Sequence, residues 1–471
     1  MKILLIDVPF GAEEIGGERE TFADVLNVIP ALGLAYLAAV AEREGHEVRI
    51  LDCARGLGWD TVEQEGRAFA PEVVGFTATT PTFSNAVRAA KLLREIVPRA
   101  TFIVGGPHPT AVPEHAASAG VFDYLVLGEG EVTFLELLGH LAGAGPTNAE
   151  DIPGLAYRRD GQLVMTPPRT RIKDLSSIPF PARHLLPPLK VYRPTPASYR
   201  KLPLAHIMTS RGCPSRCNFC DRSIFGEKYR ARGAENVLAE VEEVVSKHGA
   251  REIRFFDDTF TLNRKRLERI CQGMRALRPR IPWTCLTKVD CVDLDMLRMM
   301  RDSGCWQVLY GLESGDDDVL ATLGKKTTVE MNRRAVTWAR QAGIRVRADF
   351  LVGSPSETME SLEHTLEFAK SLPLDFAHFN KFVPFPGTAF YRQLVEQGHR
   401  FDFSGSSSTL DHDALVFVPP AIDPEAYRRF LDKSYKEFYL RPSYVLRRVL
   451  GLRTFTELWG QVRGFLAIRS I

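Results

Sequence analysis

Three thiols stand close together in Cys213-Pro-Ser-Arg-Cys217-Asn-Phe-Cys220, directly after the apolar run Leu202 to Thr209. Spaced C-x3-C-x2-C, they can turn inward from one tight loop and ligate three irons of a [4Fe–4S] cube. An electron-transfer ferredoxin site supplies four cysteines, so a trio leaves one iron open to bind and reduce something else. Structural zinc is a poor match, because its sites take four N/S ligands, usually as two pairs, and no partner pair lies nearby. The remaining cysteines, Cys53, Cys271, Cys285, Cys291 and Cys305, form no disulfide framework in a chain of 471 residues. Cys285 and Cys291 flank Lys288 with C-x5-C spacing but lack the further ligands of an auxiliary cluster, and Cys305 reads as a small core residue.

Strands and helices alternate around this loop. Glu252–Phe256, Trp283–Thr287, Gln307–Gly311, Arg345–Phe350 and His378–Val383 read as strands, and Ala234–His248, Arg264–Leu277, Leu294–Ser303, Thr328–Ala342 and Thr358–Ser371 as helices;. With the strand before Cys213 these make six βα units, a partial (β/α)6 TIM-type barrel over residues 201–400. Such barrels carry their chemistry at the C-terminal strand ends. The loops there are Phe255-Phe-Asp-Asp-Thr-Phe260, Tyr310-Gly-Leu-Glu-Ser-Gly315, Ala348–Glu357 and Phe382–Thr388.

Residues 1–145 form a second α/β unit. Lys2–Asp7, Glu47–Asp52, Val73–Ala78, Thr101–Gly106 and Tyr124–Gly128 read as buried strands, alternating with helices Leu32–Arg43, Asn85–Ile96 and Val132–Leu141. This is a doubly wound, Rossmann-like parallel sheet, which binds ligands beside the carboxyl ends of its strands. The loops there include Pro9–Phe10, Thr79–Thr82, Gly105-Gly-Pro-His108 and Gly128-Glu-Gly-Glu131. No G-x-G-x-x-G opens a helix and no P-loop is present, which argues against a nicotinamide, flavin or nucleotide-phosphate site. Residues 146–200 are a Pro-rich linker with a small hairpin around Asp160-Gly161 and an otherwise extended strap touching both domains. Residues 401–471 are helical, with a Ser-rich loop at Ser404–Ser408 and a basic, Trp- and Phe-bearing stretch from Arg441 to Ile471. That stretch suits either an anionic membrane surface or a helix capping the barrel mouth.

Composition limits the partners. A net charge of +2 gives no basic field for nucleic acid;. Free thiols, no secretory leader and no 18-residue apolar run fit a cytoplasmic protein, with peripheral membrane contact through the tail as the added option.

The loop Cys213–Cys220, with Phe219 before the last cysteine, resembles that of radical S-adenosylmethionine (SAM) enzymes. Pro30-Ala-Leu-Gly-Leu-Ala-Tyr-Leu-Ala, Val104-Gly-Gly-Pro-His-Pro-Thr and Asp123-Tyr-Leu-Val-Leu-Gly-Glu-Gly-Glu131 resemble the cobalamin-binding domain that precedes the radical core in one branch of that family. The likeness runs almost continuously to about residue 400. It implies a [4Fe–4S] cluster on Cys213, Cys217 and Cys220, with SAM on the open iron. SAM would be contacted by Phe219, by Asp257 or Asp258 near its ammonium, by Glu313 at the ribose diol, and by Gly311 and Gly353 where backbone approaches the adenosyl group. Asp257–Asp258 would otherwise be a helix N-cap pair, and Glu313 a surface ion pair. Cobalamin would lie against Pro9, Thr79, Thr80, Gly105, Gly106, His108, Gly128, Glu129 and Gly130. The first strand is followed by Asp7-Val-Pro-Phe-Gly, without the D-x-H-x-x-G histidine, so the cobalt should lack a histidine below it. His108 is the rival ligand; its alternative is a hydrogen-bonding loop residue. A sheet kept without its cofactor is the alternative for the whole domain.

The implied activity is a cobalamin-dependent radical SAM methyltransferase, abstracting hydrogen from an unactivated carbon and moving a methyl group onto it. An external flavodoxin or ferredoxin would supply electrons, and no catalytic side chain beyond the cofactor ligands is required. Similar tails in relatives acting on hopanoids and tetrapyrroles imply a large apolar small-molecule substrate, lipid, isoprenoid or tetrapyrrole, for which Asn380, Pro384 and Pro386 at the last strand end are candidate contacts. The alternatives are oxidation, cyclisation or ring rearrangement with the same cofactors, a member without cobalamin, and a non-catalytic cluster or cobalamin sensor.

Overall fold

The computed structural model describes residues 1–9, 29–53, 56–192, 194–403 and 415–450. The first domain runs β1 (Lys2–Asp7), α1 (Leu32–Arg43), β2 (Glu47–Asp52), α2 (Trp59–Phe69), β3 (Val73–Thr77), α3 (Phe83–Ile96), β4 (Thr101–Gly105), the short α4 (Pro107–Ala111) and α5 (Pro113–Ser118), β5 (Tyr124–Val126) and α6 (Gly130–Leu141). β1 to β5 pair in parallel in the order 2-1-3-4-5, so the switch point lies between β1 and β3. Both sheet faces are covered, with Leu4, Ile6, Phe76 and Phe102 in one layer and Ile3, Leu5 and Ile103 in the other. That double burial is why the strands read as unbroken apolar runs.

α2 escapes the sequence pattern because only Val62, Gly66 and Phe69 along it are buried. A side chain at Gly66 would run into Leu93 of α3, so the glycine that weakens the helical pattern is what lets the two helices touch. The hairpin is β6 (Leu155–Arg159) and β7 (Gln162–Met165), turned by Asp160 and Gly161 with φ of 51° and 79°;. It belongs to the first sheet rather than to the linker, since β6 pairs antiparallel with β5 and covers that edge;. The strap beyond it is a chain of 3₁₀ turns, not an extended segment. Tyr192 of the strap donates to Asp52 Oδ2 (2.6 Å) in the first domain, and Arg183 pairs with the buried Glu240 (2.6 Å) in the second.

The barrel strands are β8 (Leu204–Ile207), then, after a two-residue ladder of β9 (Ser210–Arg211) with β10 (Arg230–Ala231) and helix α7 (Ala234–Ser246), β11 (Glu252–Phe255). There follow α8 (Arg264–Ala276), β12 (Trp283–Thr287), α9 (Leu294–Asp302), β13 (Cys305–Glu313), α10 (Asp317–Thr322), α11 (Val329–Gln341), β14 (Arg345–Val352), α12 (Met359–Ser371), β15 (Phe376–Lys381) and α13 (Ala389–Glu396). The six main strands are parallel in simple sequence, 8-11-12-13-14-15, the partial (β/α)6 barrel the alternation predicts. Cys271, Cys285 and Cys305 are packed in its outer core.

The open edge at β15 is closed by α14 (Pro424–Tyr439) and α15 (Pro442–Leu450). Tyr439 Oη accepts from Ala377 N (3.0 Å) and Tyr435 Oη from Phe379 N (3.2 Å), so hydroxyls stand where a seventh strand would pair;. Tyr444 and Arg447 bond the carbonyls of Asp375 and Leu374 at the start of β15. The described tail therefore covers the edge and the N-terminal end of the barrel, while Tyr427 of α14 reaches the C-terminal end of β14 by donating to Val352 O (2.8 Å). Phe10, Ser404–Ser408 and the apolar residues Phe455, Leu458, Trp459, Phe465 and Leu466 lie outside the described residues. No helix among the described residues is long and apolar enough to cross a membrane.

Candidate active site

The cysteine loop springs from the β9–β10 ladder at the C-terminal end of β8. Gly212 opens it with φ +82°; a Cβ there would sit 2.5 Å from Lys228 O, so only glycine fits;. Cys213 N donates to Gly226 O (3.3 Å) and Cys220 N to Cys217 O (3.2 Å), which turns the loop's backbone on itself, although among the described residues no three His, Cys, Asp or Glu side chains gather at metal-holding distance. All three are free of disulfides. The loop is pinned from outside: Asn218 N and Nδ2 donate to Leu323 O (2.9 Å) and Thr322 O (2.7 Å), and Lys288 Nζ to Ser215 Oγ (2.8 Å). Phe219 turns toward the apolar group of Val319, Leu323 and Phe382 and has Lys325 Nζ 5.9 Å from its ring centre. Burial raises the Cys217 thiol, an effect opposed by the cations Lys325 and Lys288. Cys220 is pushed up to about 12 by the protein crowded around it and by Asp258. Three free thiols on one loop, with two ammonium groups beside them, suit a thiolate-held cluster, whose binding removes those protons.

Asp257 and Asp258 do different work. Asp257 is buried and accepts from Thr209 N (2.6 Å), Thr209 Oγ1 (2.5 Å) and Ser210 Oγ (2.6 Å), so both its oxygens fasten the root of the cysteine loop. Three hydrogen bonds and full burial commit it to the loop. Asp258 is the open member of the pair, facing Cys220. Neither caps a helix, because Asn263 caps α8.

Glu313 sits at a register shift in β13 with φ +62°, an uncommon conformation for a non-glycine residue;. Its Oε1 receives Lys325 Nζ at 2.6 Å, both side chains being buried. The pair is therefore an interior one, and a side chain at Gly311 would collide with it. Gly353 is small for a different neighbour, because its Cβ direction is filled by the Tyr427 hydroxyl of α14. Asn380 lies half-buried on the inward side of β15, and Pro384 and Pro386 are buried in the turn beyond it. No motif marks Lys325 or Lys288, since nothing in sequence ties them to the loop they approach.

In the first domain a cavity of about 240 Å³ opens between α1, the ends of β3, β4 and β5, and the cysteine-loop side of the barrel. Gly105, Gly106, Gly128, Glu129 and Gly130 border it, together with Gly33 and Tyr36 of α1 and Arg211 and Phe225 of the barrel. A Cβ added at Gly33, in the first turn of α1, would meet nothing within 4 Å and would point into open space. No protein atom requires glycine there, whereas a bulky cofactor seated in the cavity would. Pro9, Thr79 and Thr80 do not border the cavity: Pro9 O accepts from Asn85 Nδ2 (2.8 Å), and Thr79 bonds Thr82 in a tight turn. His108 does not border the cavity either, and takes the hydrogen-bonding role. It is buried and stacked on Phe83, with Nδ1 on Thr80 Oγ1 (3.1 Å) and Nε2 on His115 Nδ1 (2.9 Å). Burial and His115 push it down to about 4.

Glu129 offers the cavity its backbone, not its carboxylate. Oε1 and Oε2 take Arg230 Nη2 (2.7 Å) and Nη1 (2.9 Å), and Oε2 also accepts Ile172 N (2.9 Å). Glu131 takes Arg211 Nη2 at 2.5 Å. The Gly-Glu-Gly-Glu turn thus docks the first domain onto the ladder that carries the cysteine loop. On the other side of the same junction, Ala111 comes within van der Waals reach of Gly387 and Asp221 lies beside it.

The fold and the site define a two-domain enzyme in which Cys213, Cys217 and Cys220 would hold a cluster on the barrel side of a cavity in the first domain. Residues 207–369 match the Radical SAM superfamily and residues 20–138 the B12 binding domain. An uncharacterized methyltransferase of Pyrococcus horikoshii is 34% identical over 443 residues, covering 93% of this chain and 94% of the relative. An anaerobic magnesium-protoporphyrin IX monomethyl ester cyclase of Cereibacter sphaeroides is 29% identical, covering 89% and 68%. Among solved structures, the cobalamin-dependent S-adenosylmethionine radical enzyme OxsB, with aqua-cobalamin and S-adenosylmethionine bound, superposes with a TM-score of 0.77 at 16% identity, covering 100% of this chain and 71% of that one. The chain belongs to the radical SAM superfamily, in the branch that carries a B12-binding domain. It is a cobalamin-dependent radical SAM enzyme using a [4Fe–4S] cluster, S-adenosylmethionine and cobalamin.

Proposed function

We propose that the enzyme is a C-methyltransferase acting on an unactivated carbon of a large, mainly apolar small molecule. The observation that supports this most is the shared wall of the two sites: Arg211 and Phe225 border the first-domain cavity and flank the cysteine loop in sequence and space. A group held by the first domain thus faces the barrel end that carries the thiols. When bound, the cluster and SAM supply hydrogen-atom abstraction, and the corrinoid supplies a methyl donor.

The chain's own residues hold and orient. Cys213, Cys217 and Cys220 ligate the cluster, and Asp258 is the carboxylate placed to receive the methionyl ammonium. Glu313 receives the ribose diol, with Lys325 holding it in place through their ion pair;. Gly33, Gly105, Gly106, Gly128 and Gly130 leave room for the corrinoid. Lys288 and Asp257 keep the loop in place. No side-chain base is assigned, because removing a hydrogen atom needs none. An external flavodoxin or ferredoxin delivers the electron, and Asn380 lines the substrate side.

A second reading, radical oxidation or cyclisation without methyl transfer, is favoured by the cyclase name of the relative from Cereibacter sphaeroides. Mass spectrometry of lipids and pigments from cells making the wild-type or Cys217→Ala protein separates the two. A product heavier by one methylene only with wild type supports methyl transfer. A wild-type-dependent product with hydrogen lost and no carbon gained rejects it in favour of the second reading.

A further inference from the structure

The barrel interior carries charge that the cofactor sites leave unused. Ile253 and Phe255 of β11 pack outward against the helices, so Arg254 between them points into the lumen;. The same alternation turns His206 of β8, Thr284 of β12, Arg347 and Asp349 of β14 and His378 of β15 inward. β11 and β14 are separated by β12 and β13, so Arg254 and Arg347 face each other across the lumen rather than along the sheet.

Their charge is under-matched. Arg254 is 6% exposed, and its Nη1 has no hydrogen-bond partner. Arg347 places Nη1 on Ser198 Oγ (3.1 Å) and Nη2 near His378 Nδ1 (3.4 Å), with Asp349 Oδ1 3.5 Å from Nε. Glu252 cannot serve both arginines, because its oxygens accept from Arg200 N (2.8 Å), Lys201 N (2.7 Å) and Trp306 Nε1 (2.8 Å) at the lumen floor. Two guanidiniums therefore share Asp349. His206, 2% exposed, has both ring nitrogens without a partner, and so has the buried Thr284 hydroxyl. Burial and the arginines push His206 and His378 down to about 3, so each is neutral at pH 7 and keeps one N–H. Burial and Arg347 lower Arg254 to about 10, which leaves it charged.

Buried cations without counter-charge are destabilising, and buried donors without a protein partner add to that. Arg254 is the register neighbour of both His206 and Thr284, and a guanidinium fork, an N–H and a hydroxyl side by side match the oxygens of a carboxylate or a phosphate;. The lumen is closed below by the strap, where Gln307 Nε2 donates to Ala197 O (3.1 Å) beside the Ser198 contact. At the other end, β11 and β13 lead up to Asp257 and Glu313.

We propose that Arg254 and Arg347 form an anion subsite in the barrel lumen that takes a carboxylate or phosphate-class group of the substrate. The molecule acted on then has an anionic end seated in the barrel and a reacting carbon held up toward the cluster; this rests on the radical-enzyme reading above.

Calorimetric titration of the reconstituted holoenzyme with inorganic phosphate, and separately with acetate, tests it. Saturable binding of either anion is expected in wild type, weakened at least about tenfold by Arg254→Gln and by the independent Arg347→Gln, with Arg254→Lys falling between. In anion-free buffer Arg254→Gln should melt no lower than wild type, which a purely structural arginine would not allow. Absence of saturable binding of both anions, or unchanged affinity in both Gln variants, overturns the proposal. So does complete displacement of the anion by saturating S-adenosylmethionine, which would make the site a seat for the cofactor's own carboxylate. Release of 5′-deoxyadenosine by wild type is measured alongside; its absence would sink the radical reading while leaving the anion result to stand or fall by itself.

Discussion

Glu129 and Arg230 are 101 residues apart and meet in a buried two-point ion pair, 2.7 and 2.9 Å, that joins the cofactor-cradling turn of one domain to the cluster-bearing ladder of the other. The distance between the two cofactor sites is therefore set by a contact at their edge, not by the linker alone.

Glu129→Gln leaves Arg230 and Arg211 buried with less counter-charge. A loss of about 3–5 kcal/mol is expected, as for other half-broken buried pairs. Urea unfolding followed by tryptophan fluorescence measures it, and the double variant with Arg230→Gln should lose less than the sum of the single ones.

Gly33→Ala separates folding from cofactor binding. The new methyl meets no protein atom, and alanine favours a helix by roughly 0.5–1 kcal/mol over glycine;. The apo protein should melt at or above the wild-type temperature while its affinity for added cobalamin falls, read from corrinoid absorbance after gel filtration.

Glu313→Gln should weaken S-adenosylmethionine binding by more than tenfold, since a charged acceptor for the ribose is lost. It also leaves Lys325 buried without its carboxylate. Equilibrium dialysis gives the first effect. Lys325→Met alone should reproduce part of it, because Glu313 would lose the partner that orients it.

Glu357 is buried, with Oε2 accepting from Ser354 N (2.7 Å) and Ser354 Oγ (2.9 Å), and burial raises it to about 7 from 4.5. The folded state holds that proton more tightly than the unfolded one, so wild type loses stability as pH rises between about 4.5 and 7. Glu357→Gln can keep both hydrogen bonds and has no proton to lose. Denaturation at pH 5 and pH 8 should show the variant gaining roughly 2–3 kcal/mol relative to wild type at the higher pH.

Much of this arrangement is legible in the residues. The strands are apolar runs because both faces of each sheet are covered, and the cysteine loop announces itself by spacing. What sequence hides is pairing at a distance. Nothing marks Glu129 for Arg230, Lys325 for Glu313 or Tyr427 for Gly353, because each depends on how separate elements are stacked. His108 is similar: sequence leaves a cobalt ligand and a hydrogen-bonding loop residue both open, and the fold shows Thr80 and His115 occupying both ring nitrogens. Asp257 and Asp258 look equivalent until the burial of one and the opening of the other are seen.

The strap has a further consequence for traffic. Ala197 and Ser198 close the lower end of the barrel against Gln307 and Arg347, so a substrate seated on the two arginines would not pass out through the strap. It would have to leave by the way it came, past the cysteine-loop end, and the junction between the domains is where a slow exit would be felt.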